Sequence, residues 1–177
     1  MRELILGGSR SGKSLLAESR ATESGLRVVY VATAQPLDDE MECRIAHHQA
    51  RRPSDWATVE EPVDLAAALR RYADDDVCVL VDCLTLWLSN LLLADDVGGV
   101  TGNALRRWAA RRQALLDVLP RLPGKIVLVS NEVGSGIVPM TALSRAFADE
   151  QGRLNQCVAA LCDRVTLVVA GLPLPLK

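Results

Sequence analysis

Short runs of aliphatic and β-branched residues recur along the chain at 4–6, 28–32, 77–81, 126–129 and 165–170. Polar residues rarely interrupt them, as expected for strands buried on both faces of a parallel sheet. Between the runs, apolar residues return every three to four positions over 13–24, 38–50, 63–71, 85–93, 104–119 and 143–162, which predicts helices. Alternating strand and helix periods predict crossover units and an α/β fold, a mostly parallel sheet with helices on both faces. Gly25, Pro120, Pro123 and the glycine-paired stretch 95–102 read as stops and loops. No repeat or low-complexity tract divides the pattern, so residues 1–177 are expected to form a single domain.

The junction between the first predicted strand and the first predicted helix carries chemistry. Gly7, Gly8, Ser9, Arg10, Ser11, Gly12, Lys13 and Ser14 match GxxxxGK[ST] in the strand-to-helix context that the motif requires. Glycines let the backbone turn tightly enough for successive amides to converge on phosphate oxygens, and the helix adds the positive end of its dipole. Lys13 is expected to reach the β- and γ-phosphates, and the Ser14 hydroxyl to ligate Mg2+. Asp82, directly after the apolar run 77–81, is placed as a Walker B aspartate and second metal ligand. Its bland alternative is a helix cap for the following segment, which Thr85 could equally provide. The expected unit is therefore a P-loop nucleotide-binding domain.

His47 and His48 are the two histidines of the chain. On a helix, Met41, Ile45 and His48 share an apolar stripe, whereas Glu40, Arg44, His47 and Arg51 form a polar one. Arg44, Arg51 and Arg52 surround His47 with cations able to hold phosphate oxygens, and a neutral imidazole is a competent nucleophile toward phosphorus. The spacing permits a covalent phosphoramidate without requiring it. A helix-terminal histidine favoured by the dipole would look the same.

Charge and composition narrow the partners. Twenty Lys and Arg against 22 Asp and Glu leave a net charge of −2, which removes the global attraction that a non-specific nucleic-acid binder relies on. No apolar run approaches the roughly 20 residues of a membrane span, since 165–176 is broken by Gly171, Pro173 and Pro175. The amino terminus lacks the order of a secretory signal, and a cytoplasmic location is expected. The five cysteines are odd in number and lack CxxC spacing, so they read as buried or bystander thiols. Trp56, Trp87 and Trp108 read as packing residues before ligand-stacking ones.

Several blocks agree in order: GGSRSGKS at 7–14, YVATAQPLDDEMECRIAHHQARRPSDWATVEEP at 30–62, LVDCLTLWLSNLL at 80–92, VSNEVGSGIVP at 129–139 and GRLNQ at 152–156. In these the chain resembles the bifunctional adenosylcobinamide kinase and adenosylcobinamide-phosphate guanylyltransferase family of cobalamin assembly. The resemblance implies a RecA-like P-loop NTPase fold that forms a homo-oligomer. It also implies phosphorylation of the adenosylcobinamide aminopropanol hydroxyl by ATP or GTP, followed by GMP transfer. A histidine matching His47 would attack the GTP α-phosphate, and adenosylcobinamide phosphate would take GMP from it to give adenosylcobinamide-GDP. By the same resemblance, nucleotide contacts would come from residues 7–14, from Ala34, Gln35 and Pro36, from Arg52, Pro53, Ser54 and Asp55, and from Glu61 and Asp82. The glycine-rich block at 131–139, following a strand, is assigned to the corrinoid side or to catalytic support. Attack by His47 needs the free base, so GMP transfer should fade as pH falls below roughly 6.5.

Two other readings stay open from the residues alone. One is a P-loop small-molecule kinase without transferase activity, both histidines being structural. The other is a RecA-like regulatory NTPase that binds a macromolecule.

Overall fold

The computed structural model describes residues 1–36, 39–93 and 101–177, and for Arg44, His47, His48 and Arg51 it describes the helical backbone alone. Seven strands form one sheet: β1 (Arg2–Gly7), β2 (Arg27–Ala32), β3 (Ala57–Glu60), β4 (Val77–Asp82), β5 (Lys125–Asn131), β6 (Arg164–Val169) and β7 (Leu172–Pro175). Their order is β3-β2-β4-β5-β1-β6-β7, parallel throughout except for the β6–β7 pair. The helices are α1 (Lys13–Thr22), α2 (Asp39–Arg51), α3 (Leu65–Tyr72), α4 (Leu84–Leu92), α5 (Gly102–Val118) and α6 (Ala142–Leu161).

The continuous apolar runs become central strands because both sheet faces are covered. On one face Ile5, Tyr30, Leu80 and Val129 pack on Ala17 and Ala21 of α1. On the other, Leu4, Val79 and Leu128 meet Leu69 of α3, Leu88 of α4, Leu115 of α5 and Val158 of α6. Trp87 and Trp108, both buried, lock α4 to α5 edge to face with ring centroids 5.0 Å apart. Their indole nitrogens donate to the Val63 carbonyl and the Glu150 carboxylate. Trp56 is partly buried against the α1-side core.

Two strands were missing from the sequence reading. β3 is four residues long and mostly exposed, so it carries no apolar run to detect. β7 reads Leu-Pro-Leu-Pro, and proline cannot donate to a ladder, yet an edge strand needs only one bonded side. Ala170 and Gly171, both at positive φ, form the two-residue turn joining β6 to β7. Gly102, expected in a loop, is instead the first residue of α5, capped by the Thr101 hydroxyl. Of that expected loop, 95–100 lie outside the described residues, as does Asp38 of the second predicted helix. Among the described residues no helix is long and apolar enough to cross a membrane.

Candidate nucleotide site

The parallel strands deliver their carboxyl ends to one edge, where open α/β sheets place ligands. β1 ends at Gly7, and a Cβ there would lie 2.4 Å from Ser11 Oγ and 2.8 Å from the Val168 carbonyl oxygen, so the turn closes only on glycine. Arg10 and Gly12 both sit at positive φ, 55° and 96°, which curls the intervening amides into a concave nest. Gly171 in the β6–β7 turn donates its amide to the Ser11 carbonyl at 2.9 Å, so the late hairpin buttresses the loop. Gly12 caps α1 without a side chain, and the first turn carries no acidic residue, leaving the positive end of the helix uncompensated. Lys13 lies back over the loop, donating to the Gly8 carbonyl at 3.1 Å. Ser11 Oγ is buried without a hydrogen-bond partner among the described residues.

Asp82 closes β4, two strands from β1, with β5 between. The registers pair Asp82 with Val129 and Gly7 with Asn131, which spaces the two strands by about 10 Å. Alternation puts Asp82 on the same face as Cys78 and Leu80, the face covered by α1. The helix-cap alternative fails: the α4 N-cap position is Cys83, with no side-chain cap, while Thr85 Oγ1 accepts from the Asn131 amide at 2.8 Å. Tyr30, 2% exposed, donates its hydroxyl to Asp82 Oδ2 at 3.1 Å. Burial, then the neighbouring Asp82 charge, pushes the phenol well above its ordinary range, so it stays a neutral donor. Buried Thr33 clamps the chain just beyond. Its Oγ1 accepts from the Cys83 amide at 2.8 Å and donates to the Cys83 carbonyl at 2.7 Å, while its own amide donates to the Asp82 carbonyl.

The remaining predicted positions divide. Ala34, Gln35 and Pro36 leave β2 at the same edge. Arg52, just past α2, lays its guanidinium carbon 3.4 Å from the Tyr30 ring centroid, and its Nε and Nη1 are buried without hydrogen-bond partners among the described residues. Pro53, Ser54 and Asp55 form the exposed turn that follows, closed by the Trp56 amide on the Pro53 carbonyl. Glu61 Oε1 accepts the amides of Val63 and Asp64 at 2.9 and 2.6 Å, so this carboxylate orders the approach to α3. His47 is on α2, four positions before its last residue; its side chain lies outside the described residues, as do those of His48, Arg44 and Arg51.

Sequence reasoning gave Tyr30 and Thr33 no role, although a tyrosine on an otherwise aliphatic buried strand needs a hydroxyl partner, and that was the available signal. It also missed a polar cluster behind β5. Ser130 Oγ donates to Asn155 Oδ1 at 2.7 Å, Gln151 donates to Ser130 Oγ at 2.9 Å, and Asn155 Nδ2 donates to the Asn131 carbonyl at 3.1 Å. All three side chains are buried, and they pin the end of β5 between the loop and Asp82. Beyond Asn131, Ile137 and Met140 are almost fully exposed. A groove of about 200 Å³ beside them is lined by Val133, Gly134, Ile137, Pro139, Arg145 and Asp149.

An acid-free helix start behind a glycine nest, with a carboxylate two strands away, defines a P-loop nucleotide-binding protein of RecA-like architecture. Solved structures of similar fold agree. The RadB recombinase gives a TM-score of 0.50 at 18% identity, covering 94% of this chain and 73% of that one. The secretion ATPase EscN of enteropathogenic E. coli gives 0.56 at 14% identity, covering 96% of this chain and 43% of that one. The chain belongs to the cobinamide kinase / cobinamide phosphate guanyltransferase family, whose model matches residues 3–176. It is 59% identical over 177 residues to the bifunctional adenosylcobalamin biosynthesis protein CobP of Pseudomonas aeruginosa, covering 100% of this chain and 98% of that protein. It is also 42% identical over 184 residues to the bifunctional adenosylcobalamin biosynthesis protein CobU of Escherichia coli K12, covering 100% of both.

Proposed function

We propose that this chain carries both activities of its family, phosphorylating adenosylcobinamide with ATP or GTP and then transferring GMP from GTP to the product. The observation that supports it most is the phosphate loop: a left-handed nest at Arg10 and Gly12 opening onto a helix with no acid in its first turn, in a chain that matches the family over residues 3–176.

In the kinase step the loop amides and Lys13 hold the terminal phosphates, with Lys13 leaving the Gly8 carbonyl for them. The aminopropanol hydroxyl attacks the γ-phosphorus, the bond to the β-phosphate oxygen breaks, and a nucleoside diphosphate leaves as the hydroxyl proton is lost. Ser14 and Asp82 are proposed to hold Mg2+, and a hydroxyl and a carboxylate are the hard oxygen donors it prefers. Among the described residues no group of three or more His, Cys, Asp or Glu gathers, so phosphate oxygens and water would complete its shell. When bound, the ion neutralises charge on the transferring phosphoryl group. Tyr30 occupies one Asp82 oxygen and leaves the other for the ion.

In the second step a His47 ring nitrogen attacks the GTP α-phosphorus, and pyrophosphate leaves. A phosphate oxygen of adenosylcobinamide phosphate then displaces the histidine from phosphorus, giving adenosylcobinamide-GDP and free imidazole. Arg52 is proposed to bind nucleotide phosphate, with Ala34 to Pro36, Pro53 to Asp55 and Glu61 as further nucleotide contacts. The loop at Val133 to Pro139 is proposed to serve the corrinoid side or catalytic support, its groove of about 200 Å³ being below the usual 300–1,000 Å³ of an enclosing pocket. A single P-loop domain over 1–177, working as a cytoplasmic homo-oligomer without nucleic acid, completes the reading.

Incubation with GTP radiolabelled at the α-phosphate tests it. The expected result is a protein-bound GMP that is acid-labile, stable to base, and discharged by adenosylcobinamide phosphate. His47→Ala should keep kinase activity and lose the adduct; unchanged GMP transfer by that variant would overturn the covalent step.

A further inference from the structure

Tyr30 stands between Asp82 and Arg52, two residues proposed above for the nucleotide site. Its hydroxyl donates to Asp82 Oδ2 at 3.1 Å, and its ring face carries the Arg52 guanidinium at 3.4 Å. The side chain is 2% exposed and belongs to the core packed under α1, so neither contact is an accident of a loose surface residue. Asp82 ends β4 and Arg52 begins the segment leaving α2, and nothing local in sequence brings them together.

The two contacts have complementary consequences. With Oδ2 taken by the phenol, the Asp82 carboxylate is fixed in rotation and has its second oxygen to offer a cation. Among the described residues Arg52 meets the Tyr30 ring and forms no ion pair with a carboxylate, and its Nε and Nη1 stay buried without partners. Buried guanidinium donors without acceptors are costly, and a phosphate oxygen supplies acceptors of the right charge and fork geometry.

We propose that Tyr30 is a positioning residue for nucleotide binding, its hydroxyl orienting Asp82 toward a phosphate-bound Mg2+ and its ring presenting the Arg52 guanidinium to nucleotide phosphate. This rests on the P-loop and metal assignments above. It adds that one side chain couples the carboxylate at the end of β4 to the exit of the histidine-bearing helix. A purely structural tyrosine would affect every nucleotide measurement in proportion to lost packing. A platform with two separate contacts instead lets each be removed alone.

The test is equilibrium binding of a fluorescent GTP analogue to the full chain, in excess EDTA and across a Mg2+ titration, with melting temperatures recorded. Tyr30→Phe keeps the ring and deletes the hydroxyl. It should bind within about twofold of wild type in EDTA and need about tenfold more Mg2+ for half-maximal enhancement. Tyr30→Leu deletes both contacts and should in addition bind about tenfold more weakly in EDTA. Arg52→Ala should cost about as much in EDTA in the wild-type background, and little more once Tyr30→Leu is present. A Tyr30→Phe variant with the wild-type Mg2+ dependence would overturn the role of the hydroxyl, and being nearly isosteric it decides this even if Tyr30→Leu fails to fold. Equal EDTA affinities for folded Tyr30→Leu and wild type would overturn the role of the ring. A wild-type chain that bound no GTP would instead strike the proposed function itself, and this inference with it.

Discussion

Cys83 sits beside the proposed metal carboxylate, yet its surroundings make it inert. Burial, then the adjacent Asp82 charge, pushes its thiol up to about 12, and burial pushes Cys162 in the β6-side core to about 12 as well. Thiolate is the reactive form, so neither is a candidate nucleophile. The consequence for stability has a definite sign. Unfolded, these thiols ionise near the ordinary 9.0, whereas folded they stay protonated until about 12. Their contribution is whole below about pH 9 and is lost as pH rises toward 12, at up to about 1.4 kcal/mol per pH unit for each thiol. Cys162→Ala should therefore flatten the alkaline fall in denaturation free energy between pH 9 and 11 by up to that amount per unit, whatever it costs in packing at neutral pH. An unchanged slope would mean that Cys162 ionises in the native state.

At the scale of elements, the tryptophans divide between scaffold and surface. Trp87 and Trp108 join α4 to α5 with no ring face exposed, so neither can stack on a corrin; Trp56 keeps part of its surface. Trp108→Ala should cost about 3–5 kcal/mol in urea denaturation, with an unchanged slope against denaturant, through the cavity it leaves. Glu150 would still be paired with Arg112, so little of that cost comes from a stranded carboxylate. Trp56→Ala should cost clearly less. Helix α6 shows the same economy of position. Gln151 and Asn155 stand on its inward face and hold the end of β5, while Leu154 and Val158 of the same helix join the apolar core.

For the whole molecule, a ligand that binds only the folded chain stabilises it. GTP with Mg2+ at about a hundredfold over its dissociation constant should add about 2.7 kcal/mol, raising the melting temperature of a chain this size by roughly 5–10 °C. Gly7→Ala should abolish that shift whatever it does to the unliganded melting point, because its Cβ would collide with Ser11 Oγ and the Val168 carbonyl oxygen. A full shift in Gly7→Ala would mean that nucleotide binds elsewhere.

Hydrophobic period and the glycine-lysine motif, both local properties of the chain, were enough to establish five central strands, six helices, a parallel sheet and a phosphate loop. A strand buried on both faces has to be apolar throughout, and a nest has to be built from consecutive residues. The edge strands β3 and β7 escaped because an edge needs neither an apolar run nor every donor. Tertiary structure alone decided that the Ala170–Gly171 turn supports the loop, that Ser130 meets Gln151 and Asn155, and that Tyr30 joins Asp82 to Arg52. The hydroxyl of Tyr30 and the carboxylate of Asp82 are 52 residues apart in the chain, and only pairing β2 with β4 makes them neighbours.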